Sequence, residues 1–418
     1  MNHHQLVGDT ADLASRLSVS RRRILASSLM AMVAVPAHAG STFLPYLKSE
    51  TLYDSNVFRV ADNVPAPLID GDRRKSDLLF NNAVGIDAAT TWKQQRAYVH
   101  AEGGRYSYLH LSALDQTVYD YGGGLDWVLL GKVNGSFTGN RASSQGNYAD
   151  RDTTVLNRTK TQNLGASLNF LLTNDVRYDA AYAYQKIDTP VIGSPNFQLQ
   201  QDRFTTSLKY VGIKRLSTGL IAEYANGGYT GTVDETKFKQ YSGSLTADYA
   251  FSDISKGSAT IGYTNRESTD SQVSRSGTVS GLTGKLEYQR ELTGKTKASA
   301  RLVRDVYAFD AGDNTAVLTA LQLQTLWDAT DRIDVVLLYS LQNSKFKQQP
   351  SGTVNPLFQD RRDLLHEINL TATYEALRWL TVTPKFAFAL RDSTRDLSGY
   401  ETWQVGVQLQ AAWPKAPT

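Results

Sequence analysis

Few side chains in this sequence could carry out catalysis. There is no cysteine, which excludes thiolate metal sites, thiol nucleophiles and disulfides together. Beyond the first 40 residues the histidines are His100, His110 and His366, and none stands in the spacing of a metal site or a catalytic triad. An acid–histidine site at the rim of the fold remains an open alternative. The residues themselves predict no catalytic centre, no metal site and no cofactor.

Charged residues are numerous and alternate with apolar residues. The 44 Lys and Arg nearly balance the 41 Asp and Glu, for a formal net charge of +3, so charge does not indicate a nucleic-acid partner. In residues 119–129, aromatic and aliphatic side chains occupy every second position except Gly123, which is the pattern of a strand with one apolar and one polar face. The candidate functional residues are the charged members of such polar faces: Asp120, Asp126, Arg177, Asp179, Arg203, Lys209, Glu223, Asp248, Lys285, Glu287, Arg301, Asp334, Glu367, Lys385 and Arg391.

The same alternation recurs from Phe43 onward and predicts about 18 strands, each near the length that a tilted strand needs to cross a bilayer. Short turns alternate with longer polar loops, among them those near 141–158, 226–238, 265–278 and 343–362, and five of the six tryptophans fall at or beside the short turns. We therefore predict an all-β, antiparallel up-and-down transmembrane barrel with short periplasmic turns and longer extracellular loops. A soluble β-sandwich is the alternative, but it requires neither feature. Strands near 47–58 and 97–110 can be assigned in either phase.

The N-terminal segment has the pattern of a secretory signal peptide. Three arginines at 21–23 precede an apolar run over 24–35 and a small-residue cleavage pattern, which predicts a signal peptide at 1–39 and a barrel at 40–418. After Ala39 no apolar run approaches the ~20 residues of a membrane helix. The mean hydropathy of −0.36 is compatible with a membrane barrel, because half of each strand is polar.

The polar faces would line the interior of the barrel. Barrels of about 16–18 strands leave an aqueous channel, and a ring of charges of one sign would select ions. The mixed signs found here, together with amides and tyrosines, suit a neutral hydrogen-bonding solute such as a sugar chain. The simpler alternative is that any large barrel needs a wet lining, and that neighbouring opposite charges merely pair.

The segment Leu52–Arg59 reads LYDSNVFR and resembles the opening of the EpsL-type outer-membrane β-barrels of exopolysaccharide and exosortase loci, within a broader group of β-barrel porins. The Gly-rich strand at 119–129 and the Trp-tipped hairpins are similar as well. The resemblance implies a bacterial outer-membrane conduit for polysaccharide. It also implies the polysaccharide chain, outer-membrane lipid and periplasmic or inner-membrane synthesis and export proteins as partners.

Three functions remain at this point. The first is a pore for export of an exopolysaccharide, the second is a general or substrate-selective porin for uptake of small solutes, and the third is an outer-membrane enzyme. Both transport functions predict the same fold, and only the resemblance favours export.

Overall fold

The protein, seen in a computed structural model, forms one closed β-barrel. The structure describes residues 41–69, 73–146, 148–149, 157–189, 197–230, 236–270, 276–308, 315–347, 361–395 and 398–413. The predicted signal peptide at 1–39 lies outside these residues. The elements are β1 (Ser41–Asp54), β2 (Asp77–Trp92), β3 (Gln95–Tyr108), a 3₁₀ turn (Ser112–Leu114), β4 (Gln116–Leu129), β5 (Val133–Gln145), β6 (Arg158–Leu171), β7 (Val176–Thr189), β8 (Phe197–Ile213), β9 (Leu216–Thr230), β10 (Thr236–Ser252), β11 (Ser255–Asp270), β12 (Ser276–Thr293), β13 (Thr296–Ala308), β14 (Thr315–Thr330), β15 (Ile333–Lys347), β16 (Arg362–Leu377), β17 (Leu380–Ser393) and β18 (Tyr400–Ala412).

Every strand pairs antiparallel with its neighbours in the chain, and the first strand also pairs with the last. β1 contacts β2 along one edge and β18 along the other, from Tyr46 opposite Ala412 to Asp54 opposite Gln404. Closure leaves no unpaired edge, so the backbone hydrogen bonds of each strand are satisfied by its two neighbours. The predicted 18-stranded antiparallel barrel is confirmed.

The outer surface of the barrel is apolar over a broad band. Side chains such as Leu245, Ile261 and Leu286 point outward and are between 56% and 59% exposed. On β10 the apolar outward positions run from Tyr241 to Phe251. At ~3.4 Å per residue and a tilt of about 40°, this run is about 25 Å tall, which matches the apolar core of a bilayer. Lipid therefore accounts for this exposed surface, and the protein belongs in a bacterial outer membrane.

Aromatic residues mark both edges of the band. Four tryptophans near the short turns are exposed, Trp92, Trp327, Trp379 and Trp413, and Trp127 beside them is half-buried. At the other edge, outward tyrosines recur on β4, β7, β9, β10 and β11: Tyr121, Tyr184, Tyr224, Tyr241 and Tyr263. Such rows lie at the two interfaces of membrane barrels. We call the two ends of the barrel the short-turn end and the loop end. Among the described residues, no helix has the length and apolarity needed to cross a membrane.

The strands at the loop end extend further than the sequence predicts. Polar segments near 226–238 and 265–278 were expected to be loops, yet β9 and β10 leave only 231–235 between them, and β11 and β12 leave only 271–275. The backbone ladder continues above the apolar band because its hydrogen bonds do not depend on side-chain polarity. The barrel wall therefore rises beyond the membrane surface at this end.

The assignment of outward and inward faces can be tested with one substitution on each face of β10. Leu245→Arg places a charge in the middle of the lipid-facing band, and we expect it to lower the free energy of unfolding by about 2–4 kcal/mol. Ser242→Arg places the same side chain in the lumen, on the position paired with Glu223, and we expect a change below about 1 kcal/mol. Denaturant unfolding in lipid vesicles measures both. Equal losses for the two variants would contradict the assignment of faces.

Candidate functional site

The lumen wall consists of the residues on the face opposite to the apolar band. Residues that are partners across an antiparallel ladder point to the same face of the sheet. Because the outward and inward residues of β10 are known, the register assigns the face of each paired residue around the barrel. All fifteen charged residues selected from the sequence lie on the lumen face. Their part in transport stays a prediction.

The register also settles the two strands whose phase was open. In β1 the even-numbered residues Lys48, Glu50 and Leu52 face the lumen, while Leu47 faces lipid and is 56% exposed. In β3 the even-numbered residues, including His100 and Glu102, face the lumen. These lining residues were missed because both faces of each strand mix polar with apolar side chains.

Most of the selected charges pair with one another or with these additional residues. Arg203 Nε lies 3.7 Å from Glu223 Oε1, and Lys285 Nζ lies 2.7 Å from Glu287 Oε2. Further pairs are Arg96–Asp126, Arg177–Asp179, Lys209–Asp248 and Lys385–Glu50. Opposite charges at these separations cancel much of each other's field at a distance. Within the described wall, the charges therefore form mixed pairs rather than a ring of one sign.

A residual asymmetry remains across the lumen. On β1–β4 the lumen face carries more acids than bases. The bases are Lys48 and Arg96, and the acids are Glu50, Asp54, Asp77, Asp87, Glu102, Asp120 and Asp126. On β8–β13 the described bases outnumber the acids: Arg203, Lys209, Lys256, Arg266, Lys285, Lys297 and Arg301 accompany Glu223, Asp248, Glu287, Glu291 and Asp305. A field across the lumen favours solutes that are themselves strongly dipolar and hydrated over apolar ones.

Two strips of the wall carry amides and hydroxyls in place of charges. On β5 and β6, Asn163 Nδ2 donates to Asn140 Oδ1 at 2.9 Å, and Asn169 Nδ2 donates to Asn134 Oδ1 at 3.2 Å. Gln185 on β7 extends the row, with its Nε2 3.3 Å from Asn163 Oδ1. The second strip lies on β14 and β15: Gln322, Gln324, Ser340 and Gln342. Each amide both donates and accepts, as a sugar hydroxyl does.

The segment that resembles the EpsL-type opening shapes the loop end of the lumen. β1 ends at Asp54, so only the first three residues of LYDSNVFR belong to the strand and the other five leave it. Arg59 has a positive φ of 55° and donates from both terminal nitrogens to the two Asp54 carboxylate oxygens, each at 2.9 Å. Burial alone would lower the pKa of Arg59, but the Asp54 carboxylate reverses this and raises it. The bidentate pair therefore stays ionised and holds the turn.

Neighbouring strands fix the same turn. Asp54 also accepts from Thr402 Oγ1 at 3.1 Å and from Gln404 Nε2 at 2.7 Å. Asn56 Nδ2 donates to the backbone oxygens of Val60 at 2.7 Å and Glu401 at 3.0 Å. The chain leaving β1 is thus bound to β18 and directed to the lumen side of the wall.

The turn packs Val57 and Phe58 into an apolar cluster at the loop end. Phe58 is 2% exposed and meets Tyr148 edge to face, with ring centroids 5.3 Å apart. The buried members of the cluster are Val57, Phe58, Ile69, Tyr108, Leu111, Leu114 and Tyr148. Because Tyr108 belongs to the lumen face of β3, the cluster narrows the lumen on that side. By its length in the sequence, either of the polar loops at 141–158 and 343–362 could fold inward. The described part of the first range contributes Tyr148, and 348–360 lies outside the described residues.

A cavity of about 240 Å³ lies between this cluster and the lumen face of β16–β18. Its lining combines carboxylate, guanidinium, amide, hydroxyl and aromatic groups: Asp54, Arg59, Tyr108, Gln145, Asn369, Tyr400 and Gln404. A small polar solute would find hydrogen-bond donors, acceptors and ring faces within one recess.

The histidines lie in three separate environments. His100 Nδ1 is 2.7 Å from Asp87 Oδ1 on the lumen wall, and His366 is on the outer face, 3.1 Å from the Tyr339 hydroxyl. His110, in the loop after β3, is 2.9 Å from Asp77 Oδ1. In the described part of the chain, no hydroxyl nucleophile hydrogen-bonds to His100 or His110, and no group of three or more His, Cys, Asp or Glu could hold a metal ion.

The Asp77–His110 pair has a structural explanation. The Asp77 carboxylate also accepts from the backbone nitrogens of His110 at 3.0 Å and Leu111 at 2.8 Å. It therefore fixes the start of the loop that places Leu111 in the apolar cluster, and its oxygens are occupied in doing so.

No protein-family model matches the chain, and no curated protein matches it. Among solved structures, OccK9 (OpdG) of Pseudomonas aeruginosa is 11% identical with a TM-score of 0.46, covering 90% of this chain and 98% of that one. The alcaligin receptor FauA of Bordetella pertussis is 10% identical with a TM-score of 0.44, covering 88% and 76%. The FrpB iron transporter of Neisseria meningitidis is 8% identical with a TM-score of 0.48, covering 85% and 62%. The TM-scores are below 0.5, so the closed ladder and the apolar band of the chain itself carry the assignment as a membrane barrel.

The role of Arg59 in holding the turn leads to a prediction. Arg59→Met leaves the buried Asp54 carboxylate without its cationic partner, and we expect the local opening of residues 55–69 to become easier by about 2 kcal/mol. Backbone amide exchange in this segment should accelerate about 30-fold, as measured by mass spectrometry. Lys385→Met removes another lumen cation, the one paired with Glu50, and is the control that should leave 55–69 unchanged. Equal exchange in the wild type and in Arg59→Met would show that the turn does not depend on this pair.

Proposed function

We propose that the protein is a passive outer-membrane pore through which an exopolysaccharide leaves the cell. The observation that carries the proposal is the composition of the lumen wall, where amide–hydroxyl strips lie between mixed ion pairs. This lining offers hydrogen bonds in both directions without a dominant charge of either sign. A neutral or weakly charged sugar chain matches such a surface better than an ion does.

The strips allow a sugar chain to move without being trapped. Each sugar hydroxyl that exchanges water for Asn140 or Asn163 gains only about 0.5–1.5 kcal/mol net. Successive amides along the wall provide similar bonds, so that one can form as another breaks. Weak binding at many sites lets a chain enter and leave. Synthesis of the polymer behind the pore would supply the direction.

The loop end supports the proposal in a second way. The segment Leu52–Arg59, which resembles the opening of the EpsL-type barrels, builds the turn that lines the 240 Å³ cavity. Tyr108 and Tyr400 offer aromatic faces there, and Gln145, Asn369 and Gln404 offer amides. We infer that this recess contacts sugar units as they pass the narrowed end. Periplasmic or inner-membrane synthesis and export proteins would then deliver the chain to the short-turn end.

Uptake of small solutes is the second candidate. It is favoured by the apolar cluster around Phe58, which reduces the width available at the loop end. An enzymatic function has less support, because the Asp77–His110 pair at the rim is used to hold a loop.

The amide strip can be tested directly in the pore. Asn140→Leu combined with Asn163→Leu removes the central hydrogen bond of the strip and keeps the side-chain size. With linear dextran as the probe, each lost contact should weaken binding, and we expect the mean duration of dextran current blockades in a planar bilayer to shorten about tenfold. Asn82→Leu is the matched control, because Asn82 is an outward residue bonded to Ser49.

Blockades of unchanged duration in the double variant would contradict a role for the strip in sugar passage. If small sugars, but not dextran, changed the current in the wild type, the uptake porin would replace the export pore.

A further inference from the structure

Basic side chains gather on the outer face of β5–β7, just above the row of tyrosines at the loop end. Arg141 on β5 lies in the ladder between Tyr121 and Gln162, and Gln162 in turn pairs with Lys186 on β7. Lys160 lies one outward position higher on β6. We call Arg141, Lys160 and Lys186 the basic cluster. Its three members occupy two adjacent rows on neighbouring strands.

The surroundings of the basic cluster leave it with a net positive charge. Arg141 lies beside Tyr121 in the ladder and near Tyr119, and both hydroxyls are neutral. The acidic residues of this surface are Asp188, whose Oδ2 is 3.8 Å from Lys186 Nζ, and Asp202 on β8, whose Oδ1 accepts from the Tyr182 hydroxyl at 2.6 Å. Two carboxylates thus face three cations at the level where lipid head groups begin, and the balance stays positive.

An apolar groove of about 770 Å³ lies on the same outer face, directly toward the middle of the bilayer. Its floor is formed by small residues, and Phe137, Tyr182 and Phe204 line its sides. The floor residues Ala166, Ala180 and Ala222 all face outward in the register. Because alanine side chains are much shorter than the aromatic side chains beside them, the surface is recessed at the alanines.

The opposite outer wall differs in charge. At the same end, Lys345 on β15 pairs in the ladder with Arg362 on β16, and Asp392 and Glu401 lie outward on β17 and β18. Two acids there balance two bases. The net positive charge on β5–β7 is therefore not shared by the opposite wall.

We infer that this sector is a binding site for a phosphorylated glycolipid of the outer leaflet. The basic cluster would hold the phosphate, and the groove would hold an acyl chain. Cations just above the apolar boundary attract anionic head groups, and guanidinium groups bind phosphate in a bidentate manner. The vertical order of cations, tyrosines and apolar groove matches the order of phosphate, interface and acyl chain in such a lipid. The inference does not depend on what passes through the lumen.

The test compares lipid binding by the mature barrel and its variants in detergent. The probe is bisphosphorylated lipid A, and native mass spectrometry or fluorescence titration gives its affinity. Arg141→Ser, Lys160→Ser and Lys186→Ser together should weaken binding at least about tenfold, which is the loss expected for part of three head-group contacts. Lys345→Ser with Arg362→Ser is the matched control on the balanced wall and should change binding less than about twofold.

Further binding measurements distinguish the contribution of the phosphate from that of the groove, and lipid A from other occupants. Lipid A without its phosphates should bind the wild type at least about tenfold more weakly, and inorganic phosphate should not compete at equal concentration. Ala180→Trp fills the groove without changing charge and should also weaken binding, which keeps the test decisive if the triple variant does not fold. The heat-dependent shift in gel mobility checks the folding of each variant.

Retention of lipid A affinity within twofold by both the triple variant and Ala180→Trp would overturn the inference. Equal loss in the control variant would also overturn it, because the charge effect would then be nonspecific. Cross-linking of two copies through positions 166 and 180 in native membranes would show instead that a second copy covers the groove.

Discussion

The constraint on which this structure depends is that lipid offers no hydrogen-bond partner to the backbone. A sheet that spans a bilayer must therefore close on itself, and here the pairing of β1 with β18 completes the ladder. Closure forces one face of every strand toward lipid and the other toward the interior. The apolar band, the two aromatic rows and the hydrated lumen wall all follow from that division, as do the positions of the fifteen charged residues.

The same division explains how the loop end is built. A wide barrel of 18 strands has no apolar core within its wall, and in the described residues a cluster of seven buried apolar side chains forms where connections fold against the lumen face. The Asp54–Arg59 pair turns the chain inward, and Phe58 then finds Tyr148 and the loop after β3. A polar interaction within a short sequence segment thus determines where an apolar cluster narrows the pore. The amides of β5 and β6 remain on a separate part of the wall.

Much of this arrangement could be predicted from sequence, because strand period and tryptophan position are local signals. β4 alternates over most of its length between tyrosine, leucine or tryptophan on one face and aspartate or glycine on the other, and its two faces are assigned correctly. β1 and β3 could not be assigned, because Leu52 faces the lumen with Lys48 and Glu50 while Leu47 faces lipid, so the local pattern has no single phase. Only pairing with β2 and β18 decides it. The network around Asp54 joins residues almost 350 positions apart, such as Thr402 and Gln404, and no local pattern contains that contact. The extension of β9–β12 above the membrane could not be predicted either, because polar composition indicates a loop whether or not the backbone ladder continues.

The central claim is that the lumen conducts and admits a sugar polymer. The most direct measurement is the single-channel current of the refolded mature chain in a planar bilayer, with long exopolysaccharide added at the short-turn end. The account predicts a steady conductance that is interrupted by transient blockades, whose frequency rises with polymer concentration. A conductance that responds to small solutes but not to the polymer, or no conductance at all, would contradict it.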